Sequence, residues 1–66
     1  MNESQKTIRL DQFLKFMGIA ETGGRAKLMI QRGEVMVNGE SEVRRSRKLV
    51  SGDLVVVGGQ TLTVKL

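Results

Sequence analysis

Residues 23–40, GGRAKLMIQRGEVMVNGE, change their hydrophobic period in mid-stretch, and that change decides the fold class. Up to Gly33 the apolar residues Ala26, Met29 and Ile30 recur at helical spacing; beyond it Val35 and Val37 alternate with Met36, the period of a strand. Thr22 is placed to cap the helix and Gly33 to stop it, while Asn38-Gly39 is a strong short-range signal for a hairpin turn. On a helical wheel Arg25 and Arg32 flank the apolar stripe on one side, Lys27 and Gln31 on the other, and Leu28 lies roughly opposite it. A helix with a mainly cationic polar arc therefore runs straight into a tight hairpin.

Upstream, Leu10, Phe13, Leu14 and Met17 recur at helical spacing, which predicts a first helix over residues 12–17 with Asp11 as its cap and Gly18 at its end. Ile19 is then placed to fold back against Leu14. Residues 7–10 read as a short strand and residues 1–6 as a flexible polar N-terminal tail. Downstream, a two-residue turn at Asn38-Gly39 sets Val37 opposite Glu40 and Val35 opposite Glu42. That pairing is poor, so a bulge bringing Val43 to the buried face is the alternative. After RRSRK come Leu49-Val50, a turn at residues 51–53, the β-branched run 54–57, a Gly58-Gly59 turn and an alternating segment over 61–66. The whole predicts a single α+β domain over residues 7–66, two short helices packed on a small, mostly antiparallel sheet, with no internal repeat or linker.

Composition excludes several classes of function. With 66 residues, no His and no Cys, the chain offers no nucleophile–base pair, no disulfide and no structural metal cluster, and its seven carboxylates read as scattered over surfaces and turns. No enzyme activity, cofactor or metal is expected. No apolar run approaches membrane-spanning length and the N-terminus MNESQKTIRL lacks a leader-like apolar region, so the expectation is a soluble cytoplasmic protein without a membrane partner. Eleven Lys and Arg against seven Asp and Glu give a formal charge of +4, compatible with a polyanion.

Placement sharpens that charge. Arg44, Arg45, Arg47 and Lys48 put four cations into five residues, and Arg25, Lys27 and Arg32 lie just upstream of the hairpin leading into them. A charge run is most often a solvated face; two such sets sharing a face would grip a phosphate backbone. Gly23-Gly24 lacks the GK[ST] ending of a nucleotide-hydrolase loop. It reads equally as exposed backbone N–H groups able to accept a phosphate and as a tight turn that lets two helices approach. Phe13 reads as core. Phe16 and Leu28 fall off the main stripes, covering a second edge of the core on the commoner reading or forming a patch for a protein partner on the other. No stacking platform for unpaired bases is then expected, which favours structured RNA gripped by shape and phosphates. The alternatives are a DNA-binding helix-turn-helix protein, with helix 2 in the major groove, and a small protein-interaction module.

Residues 10–55, LDQFLKFMGIAETGGRAKLMIQRGEVMVNGESEVRRSRKLVSGDLV, resemble the S4 RNA-binding domain family, most of all its free-standing, single-domain bacterial YbcJ-like subgroup. The ordered combination of L-D-x-F-L-K, G-G-x-A-K-x-x-I, G-x-V-x-V-N-G, R-R and G-D carries the resemblance. It implies an S4-like fold (the alpha-L motif) whose helices and hairpin share an RNA-gripping surface, with structured RNA, ribosomal RNA in particular, as partner. It also implies roles for Lys15 and Lys27 on the helices, for Asn38-Gly39 as the hairpin turn, and for Arg44 and Arg45 as the basic pair of the subgroup. Where the broader family opens its second helix with Ser-Arg-Ser, this chain has Thr22-Gly23-Gly24, so the arginine is absent; Arg25 lies close by and ranks below Lys27.

Overall fold

The computed structural model describes residues 6–66, so the expected tail, apart from the exposed Lys6, lies outside the described residues. The chain order is β1 (Ile8–Arg9), α1 (Leu10–Phe16), α2 (Gly23–Gln31), β2 (Val35–Val37), β3 (Glu40–Ser41), β4 (Lys48–Leu49), β5 (Leu54–Val57) and β6 (Gln60–Thr63). The α+β expectation holds. Each strand pairing is antiparallel, but the strands divide between two sheets: β1 with β4, and a four-stranded sheet in the order β3-β2-β5-β6.

Helix α1 begins two residues earlier than the spacing predicts, and Asp11 lies inside it rather than at its cap. The reason is tertiary. The N–H groups of Leu10 and Asp11, orphans at any helix start, donate to the carbonyls of Arg47 (2.8 Å) and Arg45 (3.1 Å) in the loop before β4. The Gln12 Oε1 accepts the Arg9 N–H at 3.3 Å. The Asp11 Oδ1 accepts the Gln12 N–H at 2.9 Å, so a distant backbone and these adjacent side chains share the capping.

The other helix ends follow local rules. The Thr22 hydroxyl accepts the Arg25 N–H at 3.1 Å, as a capping residue should. Both helices close with the same bond pair: Gly18 N–H to the Lys15 carbonyl with Ile19 N–H to Leu14, and Gly33 N–H to Ile30 with Glu34 N–H to Met29. Ile19 therefore does fold back on Leu14. Gly23 and Gly24 keep negative φ, and a Cβ at either would meet nothing closer than the Thr22 hydroxyl at 3.9 Å, so the reading of this pair as a close approach of helices is not supported.

At the hairpin, Asn38 and Gly39 have φ of 51° and 86°, and Val37 faces Glu40 across a two-residue turn. The ladder runs on without a bulge, because Glu42 N–H reaches the Val35 carbonyl at 3.0 Å. Val43 is accordingly exposed and Glu42 is buried, the reverse of the bulged alternative. Val35 and Val37 pair with Val57 and Val55, and these four form the sheet's contribution to the core. Leu10, Phe13 and Leu14 of α1, Ala26 and Ile30 of α2, and Leu49 of β4 complete it with Ala20 and Val64.

Candidate nucleic-acid interface

Among the described residues two carboxylates are buried, in a chain whose acidic residues all read as surface groups, and both hold arginines. Asp11 binds Arg9 and Arg45, each at 3.1 Å. Glu42 binds Arg44 and Arg47, each at 2.9 Å. Burial pushes the Asp11 carboxyl up, and the hydrogen bonds from Arg9 and Arg45 outweigh it, leaving the group below its ordinary value. For Glu42 the hydrogen bonds from Arg44 and Arg47 dominate burial and pull the carboxyl from 4.5 down to about 2. The Arg44 guanidinium is raised in return by its bonds to Glu42.

The two clusters form one construction. Asp11 and Glu42 sit at opposite ends of the path that brings the loop of residues 42–47 over the start of α1, where Arg45 and Arg47 also supply the capping carbonyls. Four guanidiniums face two carboxylates, so the assembly keeps two net positive charges. The carboxylates are almost dry, whereas the Arg44 side chain is 70% exposed, gripping Glu42 through Nε (2.9 Å) and Nη2 (3.2 Å). Such a fork, oriented from behind by a buried acid, presents its remaining donors to solvent without freedom to wander. Each acid has two arginine partners, so removing one arginine leaves neither acid unpaired.

The structure distributes the expected site residues unevenly. Arg44, Arg45, Arg47 and the exposed Lys48 are brought together around the start of α1, and Arg9 joins them although the sequence reading omitted it. Arg25, Lys27 and Arg32 lie exposed along α2, Arg32 with a loose partner in Glu34 at 3.9 Å, and Lys15 is exposed on α1. Asn38 has structural employment: its Oδ1 accepts the Leu54 N–H (2.9 Å) and its Nδ2 donates to Asp53 (3.1 Å), tying the hairpin to β5. The Val50 N–H and Asn38 together hold the Asp53 carboxyl below its usual range. Gly23 and Gly24 open α2 beside the Thr22 cap.

Asp11, Glu42 and Arg9 are the residues the sequence reading missed. A faint signal existed: Asp11 occupies a place in the apolar stripe next to Leu10 and Leu14, and a two-residue turn puts Glu42 on the core side opposite Val35. The covering of a second core edge by Phe16 and Leu28 is corrected as well. Phe16 is 78% exposed and Leu28 46%, because only one side of each short helix is packed. Among the described residues no group of three or more His, Cys, Asp or Glu could hold a metal ion, and no helix is long and apolar enough to cross a membrane.

Fold and site together define a small α+β domain with a cationic surface braced on two buried acids. A family model described as "S4 domain" matches residues 2–65, and the chain belongs to that family. The "Probable ribosome maturation protein RlbA" of Bacillus subtilis (strain 168) is 46% identical over 52 residues, covering 79% of this chain and 73% of the relative. The "Putative RNA-binding protein YbcJ" of Escherichia coli (strain K12) is 37% identical over 57 residues, 86% of this chain and 81% of the relative. The expected YbcJ-like subgroup is thereby borne out.

Proposed function

We propose that this chain is a non-enzymatic RNA-binding module that grips structured RNA, ribosomal RNA foremost, through the braced arginines around α1 and the cations of α2. The observation that carries the reading is the pairing of Arg9, Arg44, Arg45 and Arg47 with Asp11 and Glu42, which fixes guanidinium forks at a solvent-facing surface in advance of binding. Family membership and the names of the relatives support RNA as the polyanion and the ribosome as its setting. Rigid forks suit phosphates held at fixed spacing by a folded backbone better than those of a slack single strand. Helix α2 has nine residues and passes at once into the hairpin, which leaves little length for reading a DNA major groove.

Crosslinking in cells followed by sequencing of the attached nucleic acid tests the proposal. Ribosomal RNA segments that fold into helices are the expected product. Recovery of chromosomal DNA, or of no nucleic acid above background, would overturn it.

A further inference from the structure

The surface of α1 remote from its capped start holds a feature the cationic face does not use. Phe16, one of only two aromatic residues in the chain, is 78% exposed at the end of the helix. A hollow lies on either side of it. One, of about 320 Å³, is lined by Ile8, Phe13, Met17 and Leu66 with Thr63 and Lys65; the other by Ile8, Gln12 and Lys15. Both contain Phe16, both are mainly apolar, each carries a lysine, and among the described residues no Asp or Glu side chain lines either.

We propose that Phe16 is a stacking platform for a single unpaired nucleobase, with Lys15 or Lys65 holding the adjoining phosphate. The inference rests on the RNA-binding reading and extends it to a second kind of contact. The exposed phenyl ring, set between two apolar hollows with a lysine in each, presents a flat face, and a base is a flat apolar ring that carries a phosphate at a short tether. The side-chain charge of the hollows selects the occupant: among the described residues Lys15 and Lys65 are the charged side chains that flank the ring, which matches a ligand that is apolar in its centre and anionic at its edge. An amphipathic protein helix would want a groove with several successive anchor pockets. Two shallow hollows sharing one ring, of about 320 and 410 Å³ and so near the lower limit of small-ligand sites at roughly 300 Å³, offer a base a face instead. Phe16 also lies six residues beyond Leu10, or about 9 Å along the helix, from the arginine assembly. A bulged or terminal nucleotide on a helix held there is within reach of the ring.

The test uses two RNA hairpins, one fully paired and the other identical except for one unpaired adenosine in its stem. The parent should prefer the bulged hairpin, and Phe16→Leu should lose that preference, a change of about 5- to 150-fold for one stacked base, while binding the paired hairpin like the parent. Phe16→Trp should keep the preference, and because the chain has no other Trp or Tyr its emission reports this position alone; the bulged hairpin should quench it and the paired one should not. Phe16 is exposed, so neither variant disturbs the core. Equal binding of both hairpins by the parent, or a preference that survives in Phe16→Leu, overturns the stacking proposal and points to a protein segment as the occupant. Failure of the parent to bind either hairpin would instead sink the RNA-binding reading beneath it.

Discussion

Replacing Glu42 by Gln removes the negative charge that braces Arg44 and Arg47 and leaves size and packing nearly unchanged. The fall of this carboxyl from 4.5 to about 2 corresponds to about 3 kcal/mol of preference for the ionised form in the folded chain. That figure is an upper bound, since the Arg44 side chain is 70% in water and solvent screens its share. A loss of about 2 kcal/mol at neutral pH is therefore expected, or about 8–16 °C in Tm for a domain of this size. The pH dependence gives the sign an independent check. A carboxyl depressed in the folded state binds more protons when unfolded, so its contribution is complete above about pH 4.5 and disappears as pH falls toward about 2. The stability gap between parent and Glu42→Gln, measured by urea unfolding at a series of pH values, should be widest near neutrality and narrow steadily below about pH 4.5. Asp11 and Asp53, also depressed, act in both proteins and cancel from the difference. Equal stability at pH 7, or a gap of constant size down to pH 2, would refute the account of Glu42 as an ionic brace.

The phosphate contacts are tested by Arg44→Gln, which leaves Glu42 paired with Arg47, and by Lys27→Gln; each should flatten the slope of log affinity against log salt for a structured RNA by about one unit. Thr61→Glu on edge strand β6 lowers net charge by the same amount and serves as control; an equal loss there would leave bulk charge as the whole explanation. Lys65 does not qualify for that purpose, because it lines the hollow beside Phe16. Gly39→Val forces a β-branched residue to a φ near 86° and should cost about 1–3 kcal/mol in chemical unfolding; an unchanged midpoint would contradict the turn's conformation. Asn38→Ala removes two hydrogen bonds to the start of β5 and should destabilise by about 1–2 kcal/mol while leaving the salt slope of RNA binding unaltered. A flattened slope with stability intact would make Asn38 an RNA contact rather than a structural tie.

Much of the fold was legible because its signals are local. The switch from helical to alternating period at Gly33, the Thr22 cap, the two glycine stops and the Asn38-Gly39 turn each involve groups within a few residues of one another, so the spacing of residue types carries them. Family membership was legible for the same reason: the ordered short motifs are patterns in one dimension. The cationic character of residues 44–48 also needed no structure.

What tertiary structure alone decided is the partnership behind those charges. Arg45 is 34 residues from Asp11, and the N–H of Asp11 is capped by that same arginine's carbonyl, so neither the early start of α1 nor the burial of its acid follows from neighbouring residues. Glu42 shows the same limit from the strand side. Judged by its cross-strand neighbour Val35 it reads as a misfit, and the register looked wrong on that account; with Arg44 and Arg47 folded over it, the pairing is sound, because a buried charge is tolerable when its hydrogen bonds are met. Phe16 completes the contrast. Helical spacing places it off the stripe, but whether a further element covers that side is settled only when the chain is packed, and among the described residues none does. The sequence by itself determined the helices, the hairpin, their glycine stops and the sign of the surface; the tertiary structure decided where α1 starts, which acids leave water, which arginines they hold still, and which aromatic ring stays exposed, since burial and charge pairing depend on groups that only folding brings within reach.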